Sequence, residues 1–313
     1  MVGHLDAEGD FMKAGIIGAG SLGSLFAHYF HDHLIDFIIY EKNIEVVKDI
    51  EKNGLTFIKS GISKTIKPFI STSPEILADA EIIFLFVKSY STAEAIQNIL
   101  PYLVSNSIIV SLQNGLGNTE EIRKYIKPER IVYGTTTMGA SKSSLSTVIS
   151  GGPGIINIGG AENGHVMKVH HLLNSAGLSS YTVDDPDFYL WNKVIINAGI
   201  NPIAAILGIA NGEILTNRYA SILQENIVKE AVSAAKANDI IMDFNEILKA
   251  TRDVCKKTSS NICSMLQDIR NRRLTEIESI NGKLIESAAI KGLDLPYNRS
   301  LYLLIKSMET GAE

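Results

Sequence analysis

The sequence predicts an α/β fold, with a doubly wound parallel sheet in its N-terminal part and an all-helical C-terminal domain. Three observations carry this expectation. Between Lys13 and Val87 short β-rich runs alternate with helical patterns, the βαβα rhythm of a parallel sheet. A glycine turn, Gly18-Ala-Gly-Ser-Leu-Gly23, joins the first strand to the first helix. Beyond Asp184 strand signals give way to four helical segments.

The N-terminal elements follow in order. Strands are expected at Ala14 to Ile17, Phe37 to Tyr40 and Ile82 to Val87, with helices at Leu22 to Phe30 and Ile44 to Lys52. Ser73-Pro74 has the form of a capped helix start, with proline in the first turn. Ser91-Thr-Ala-Glu94 matches a capping box, whose serine and glutamate satisfy each other's amide groups. Further strands are expected at Ser107 to Leu112, Ile131 to Thr137 and Gly154 to Ile158. The serine- and glycine-rich stretch Ala140 to Gly152 reads as a turn or mobile loop. Helices are then expected at Trp191 to Leu207, Ala220 to Asn238, Phe244 to Lys256 and Thr275 to Lys291. The acidic, proline-containing Asp184-Asp-Pro-Asp187 marks the domain boundary. The expected organisation is an N-terminal extension at residues 1–11, disordered, with Met12 as the natural start, then a nucleotide-binding domain at 12–184 and a helical domain at 185–313.

Composition narrows the function classes. Two domains suit 313 residues, and 45% hydrophobic with 20% charged residues is ordinary globular composition. A net charge of -5 gives no general attraction for nucleic acid or anionic membrane, so a small-molecule partner is expected. The two cysteines, Cys255 and Cys263, form neither a disulfide framework nor a zinc pattern, which suits the reducing cytoplasm. Residues 1–11 lack the basic start and apolar run of a signal peptide. Val194 to Ala210 is the most membrane-like stretch, but Asn197, Asn201 and Pro202 interrupt it short of the roughly 18 apolar residues a span requires, and it reads as a buried helix. His28, His31 and His33 fall at a helix end and its turn, and no metal site is expected.

The glycine turn follows an apolar strand and opens a helix, the context that gives the six-residue pattern its meaning. Its glycines permit a tight turn, close approach of a pyrophosphate and close packing of the helix, whose N-terminus offers amide donors to phosphate. Gly18, Ala19, Gly20, Ser21, Leu22 and Gly23 are therefore expected to bind a dinucleotide. At the end of the second strand Glu41 lies eighteen positions after Gly23 and is followed by Lys42. A carboxylate there bonds the ribose 2′-hydroxyl of NAD, whereas a basic residue pairs with the 2′-phosphate of NADP. Glu41 points to NAD and Lys42 to NADP.

Two further segments end strands on the side where such sheets bind ligands: Lys88 after Phe86-Val87, expected to meet a cofactor phosphate, and Asn114 after Gln113, expected to bridge nicotinamide and substrate. In the helical part Lys193, Asn197 and Asn201 recur every four residues, so a helix aligns them as one polar stripe in apolar surroundings. Such groups need partners, and a polar ligand in a cleft meets that need. A lysine beside a hydrophobic wall can protonate a carbonyl oxygen as hydride arrives. Ser264 and Glu276 place a hydroxyl and a carboxylate near apolar positions.

Taken together these segments resemble the ketopantoate reductase (2-dehydropantoate 2-reductase) family from Met12 to near the C-terminus. The residues that carry the resemblance are the glycine turn, Val87-Lys88, Gln113-Asn-Gly115, and Leu190-Trp-Asn-Lys193 with Asn197 and Asn201. Further along are Ser264-Met-Leu-Gln-Asp-Ile269 and Thr275-Glu-Ile277 with Asn281-Gly282. The resemblance implies a Rossmann-type domain followed by a helical domain, with the active site in the intervening cleft. It implies Lys193 as general acid, Glu276 orienting substrate and lysine, and Asn114, Asn197, Asn201 and Ser264 contacting substrate. Lys88 falls on the family's cofactor-contacting lysine. Lys42 falls where the family reads the NADP phosphate, as lysine in place of the more usual arginine. The implied reaction is NAD(P)H-dependent reduction of 2-dehydropantoate to pantoate for pantothenate and coenzyme A synthesis. NADP(H) is the first expectation and NAD(H) the second, and a homodimer is the expected assembly. The alternatives are reduction of another small 2-oxo acid and a dinucleotide-sensing binding protein.

Overall fold

The computed structural model describes residues 13–309; the extension expected at residues 1–11 lies outside the described residues. By internal packing the chain divides into two units. The first comprises residues up to Gln113 together with Asn118–Pro186, and the second Asn114–Gly117 together with Asp187 onward.

In the first unit β1 (Lys13–Ile17) leads through the glycine turn into α1 (Ser21–Asp32), then β2 (Asp36–Tyr40) and α2 (Ile44–Asn53). A hairpin follows, β3 (Leu55–Lys59) with β4 (Ile62–Ile66), then the short β5 (Ile70–Ser71) and β6 (Ile82–Leu85). The chain continues through α3 (Thr92–Ile99), β7 (Ile108–Ser111), α4 (Asn118–Arg123) and β8 (Ile131–Thr136). It closes with β9 (Ala140–Lys142), β10 (Thr147–Ser150), β11 (Ile156–Gly160), α5 (Asn163–Ser175) and β12 (Ser180–Thr182). The main sheet has eight strands in the order β12-β11-β8-β7-β6-β1-β2-β5. Every pairing is parallel except β11 with β8. Because both faces of such a sheet are covered, its central strands read as near-continuous apolar runs, and β6 and β7 are buried along their whole length. The order reverses at β1, whose neighbours are β2 and β6, and the crevice beyond the strand ends at that switch point is where ligands bind in this architecture.

The first crossover is pinned by rings. Phe26 of α1 lies 5.8 Å from Phe84 of β6 and 4.5 Å from Phe86, with Phe30 packed on both Phe26 and Phe84. At the turn itself Gly18 has φ +94°. A Cβ on Gly23 would lie 2.0 Å from the Gly18 carbonyl oxygen, so only glycine lets α1 begin this close to the turn.

Several expectations are corrected. Ala140 to Gly152 is not a loop but supplies β9 and β10, which join β3 and β4 in a second sheet of order β4-β3-β10-β9. Its serines and glycines concealed the pattern, since only Val148 of β10 is fully buried. The Ser91–Glu94 capping box does not form. Ser91 ends a 3₁₀ turn with φ -104° and ψ 4°, outside the extended geometry of a capping residue, and its side chain makes no cap bond. Ser73 likewise makes no cap bond, although Pro74 does open a 3₁₀ turn.

The second unit is helical: α6 (Pro186–Ala198), α7 (Asn201–Leu207), α8 (Glu213–Thr216), α9 (Arg218–Ala237), α10 (Phe244–Lys257), α11 (Ser264–Arg270), α12 (Lys283–Ile290) and α13 (Pro296–Glu309). The single helix expected over Trp191 to Leu207 is two. Pro202 has no N–H to return to the Ala198 carbonyl, so α6 stops at Ala198 and α7 restarts with proline in its first turn. Pro186–Leu207 as a whole passes length and apolarity criteria for a membrane span, yet 56% of its apolar window is buried inside the fold. The helix expected over Thr275 to Lys291 begins only at Lys283 and is preceded by a π turn at Glu278–Gly282, in which the Gly282 N–H donates to the Ile277 carbonyl.

Gly23→Ala is expected to lower unfolding free energy by about 1–3 kcal/mol, the usual cost of overpacking a site with no room. Chemical denaturation at equilibrium measures it, and an unchanged midpoint would show that α1 can shift freely.

Candidate active site

In the first unit the carboxyl ends of β1, β2 and β6 surround a cavity of about 230 Å³. Gly18 and Gly20 form one wall, Glu41 and Lys42 the end of β2, and Lys88 the end of β6. Five of the residues expected to hold a dinucleotide therefore line one cavity. Of the others in the turn, Ala19 acts through its backbone, while Ser21 and Leu22 open α1.

The Ala19 peptide is clamped from both sides. Its N–H donates to Glu41 Oε2 at 2.7 Å, and its carbonyl accepts from Lys142 Nζ at 2.6 Å and from Ser24 Oγ at 3.0 Å. Glu41 is further fixed because its Oε1 accepts the Asn43 N–H at 2.9 Å. Lys142 comes from the unexpected strand β9 and also donates to the Leu145 carbonyl. Burial pushes its ammonium down to about 8, against the opposing pull of the Glu41 and Asp49 charges. Lys42 does not point freely into the cavity: its ammonium bonds Glu94 Oε2 of α3 at 2.7 Å.

The fit of a dinucleotide rests on the turn. A pyrophosphate needs a close backbone approach and a helix N-terminus, and the turn offers both, with no side chain on Gly18 or Gly20 between phosphate and backbone. A Cβ on Gly20 would meet the Phe86 carbonyl oxygen at 3.8 Å, an ordinary contact, whereas one on Gly18 would meet the same oxygen at 3.2 Å.

The second unit brings a different set together. Lys193 and Asn197 lie on the half-exposed face of α6, while Trp191, Val194, Ile195 and Ala198 face the helical core. Asn201 continues the order but not the helix, because it is the first, buried residue of α7. Ser264 opens α11, which packs against α7, and it is exposed. Glu276 is buried, accepts from Asn114 Nδ2 at 3.2 Å, and its charge acts on Lys193. Desolvation pushes the Lys193 ammonium down to about 8, and the Glu276 carboxylate pulls it back up.

Glu276 is held by its neighbours. The Thr275 N–H and hydroxyl both donate to the buried Glu309 Oε1 of α13, at 2.7 and 2.6 Å. Asn114 reaches Glu276 because Asn114–Gly117 packs on the π turn, where the Leu116 N–H donates to the Ser279 carbonyl at 2.7 Å. Gly115 has φ +89° there, and any Cβ would strike Ser279 at 2.4 Å. The Ser279 carbonyl that accepts the Leu116 N–H belongs to the π turn itself.

Sequence reading missed Glu94, Lys142 and Glu309. In sequence Glu94 has the form of a helix-cap residue, Lys142 lies in a stretch that reads as a loop, and Glu309 carries no local signal. Each acts across a distance in sequence, 52 residues for Glu94 with Lys42, 123 for Lys142 with Ala19 and 34 for Glu309 with Thr275.

A Rossmann-type parallel sheet with a glycine turn, joined in sequence to a helical unit carrying a half-buried lysine beside a carboxylate, defines the class of nucleotide-binding oxidoreductase-like α/β proteins. Residues 14–163 match the family model described as ketopantoate reductase PanE/ApbA, and residues 188–309 its C-terminal model. The chain belongs to the ketopantoate reductase family. It is 36% identical to a 2-dehydropantoate 2-reductase of Pyrococcus horikoshii, covering 96% of this chain and 98% of that one. A 2-dehydropantoate 2-reductase of Archaeoglobus fulgidus is 32% identical, with 95% and 97% covered. Among solved structures, D-mandelate dehydrogenase with NADH and anilino(oxo)acetate superposes with a TM-score of 0.91 at 26% identity, covering 96% and 99%. A ketopantoate reductase from Ralstonia eutropha shares the fold with a TM-score of 0.88 at 23% identity, also covering 96% and 99%.

Lysine side-chain NMR should show Lys193 titrating near the value of about 8 that burial imposes. Glu276→Gln removes the charge that raises this value, so the midpoint should fall. A midpoint that rises or stays fixed in the variant would show that Glu276 does not act on Lys193.

Proposed function

We propose that this protein is a nicotinamide-dinucleotide-dependent 2-dehydropantoate 2-reductase that reduces the ketone of 2-dehydropantoate to pantoate, within pantothenate and coenzyme A biosynthesis. The observation that carries the reading is Lys193, half-buried on α6 with its ammonium lowered to about 8 by burial and held up by Glu276. A group with that value is protonated at neutral pH yet gives up its proton readily, which is what a general acid requires. The dinucleotide, when bound, supplies hydride from nicotinamide C4.

The remaining roles follow from position. Lys193 donates a proton to the ketone oxygen as charge develops there. Glu276 keeps Lys193 charged, and Asn114, bonded to Glu276, orients it. Asn197, one turn from Lys193, and Asn201 at the start of α7 present amides to the substrate, and the Ser264 hydroxyl at the start of α11 is a further contact. In the first unit Gly18 to Gly23 hold the pyrophosphate, Lys88 adds a positive charge, and Glu41 and Lys42 face the adenosine ribose. We place the protein in the cytoplasm, where the buried free thiols of Cys255 and Cys263 stay reduced. Similarity to a D-mandelate dehydrogenase complexed with anilino(oxo)acetate favours a second reading, reduction of a different 2-oxo acid by the same groups.

The test is oxidation of NADH or NADPH, followed at the nicotinamide absorbance band, with 2-dehydropantoate and a series of other 2-oxo acids. Highest kcat/KM on another 2-oxo acid would favour the second reading, and no oxidation despite dinucleotide binding would replace both with the sensor. Lys193→Ala should lower kcat by about 10²- to 10⁴-fold with the circular dichroism spectrum unchanged. Near-normal turnover would remove Lys193 from the acid role. Because the acid must be protonated, kcat/KM for reduction should be level below pH 8 and fall about tenfold per pH unit above it. A profile flat to pH 10 would sink the assignment.

A further inference from the structure

The same cavity contains a choice between two dinucleotides that differ only by a phosphate on the adenosine 2′-oxygen. In a Rossmann-type sheet that oxygen lies beside the end of the second strand, here Glu41 and Lys42, whereas Lys88 ends β6 on the other side of β1. We infer that Glu41 and Glu94 together select NADH over NADPH, Glu41 by accepting the 2′-hydroxyl and Glu94 by occupying Lys42, the lysine at that end of the cavity among the described residues. The inference rests on the dinucleotide-dependent reading above and deepens it.

Three observations carry it. Glu41 cannot turn aside for a phosphate, because Ala19 N–H holds one carboxylate oxygen at 2.7 Å and Asn43 N–H the other at 2.9 Å. Each oxygen keeps further acceptor capacity, which a ribose hydroxyl can use and a phosphate cannot. Lys42, the residue positioned to neutralise a 2′-phosphate, already bonds Glu94 Oε2 at 2.7 Å. Two backbone donors at the start of α2 are also engaged: Asn43 N–H by Glu41, and Glu45 N–H by Asn43 Oδ1 at 2.9 Å. A 2′-phosphate, carrying nearly two negative charges, would therefore face the Glu41 and Glu94 carboxylates, with Lys42 already paired to the second of them.

Glu94 thus acts through Lys42, and an equilibrium measurement separates its role from turnover. Isothermal titration of the full-length protein with NADH and with NADPH should give a dissociation constant at least about tenfold lower for NADH. In Glu94→Gln the neutral amide releases Lys42, and the NADPH-to-NADH ratio of dissociation constants should shrink by about fivefold or more. NADPH binding as tightly as NADH in the wild-type protein, or a ratio unmoved by Glu94→Gln, would overturn the inference. Glu94 is a half-exposed surface residue, so the variant is expected to fold, and its circular dichroism spectrum is the control. Failure of the inference is distinct from failure of the proposed reaction: tight NADH binding without oxidation by any 2-oxo acid sinks the reaction and leaves the selection intact.

Discussion

The first unit depends on how closely α1 approaches β1. With the Gly18 carbonyl oxygen only 2.0 Å from where a Gly23 Cβ would stand, the helix starts where no other residue allows it. From that contact follow the direction of the helix N-terminus, the opening at the end of β1, and the packing of Phe26 and Phe30 on Phe84. The Ala19 peptide in the same turn is then gripped by Glu41 and Lys142. One close approach thereby organises both the sheet's first crossover and the glycine wall of the cavity.

The second unit solves a different problem, keeping a lysine and a carboxylate among apolar helices. Desolvation alone drives a lysine toward neutrality, and Glu276 opposes it. Glu276 is buried and takes a hydrogen bond from Asn114, and its neighbour Thr275 is tied to Glu309. The π turn is part of this support. Its Ser279 carbonyl accepts the Leu116 N–H and so holds the Asn114–Gly117 segment where the asparagine meets the carboxylate. An irregular turn in a helical unit is a common way to accommodate functional geometry that a regular ladder forbids.

Much of this was legible in the sequence. The strands and helices from Lys13 to Tyr40 emerge within a residue or two, because short β-rich runs, a helical pattern and a glycine turn are local signals. Lys193 and Asn197 were recognisable as polar interruptions of an apolar helix, and the order of motifs identified the family. The small second sheet was not legible, since β9 and β10 are short, polar and mostly not fully buried. Nor was the break between α6 and α7 taken from Pro202, although the missing N–H of proline was the available signal. The supposed capping box failed because matching residue types at the right spacing do not ensure the extended backbone that a cap requires.

By itself the sequence determined the α/β class, the glycine turn, the helical C-terminal part and the family, because each is written in neighbouring residues or in their order. Only the tertiary structure decided what the charged residues do. Glu41 and Lys42 are adjacent and of opposite sign, so sequence left NAD and NADP both open. The fold gives Glu41 two backbone donors and gives Lys42 a carboxylate from a helix 52 residues away. Lys193 was a candidate acid by type, but its lowered proton affinity comes from burial and from Glu276, 83 positions further along the chain. Charges act through space, and their partners are chosen by packing that no local pattern records.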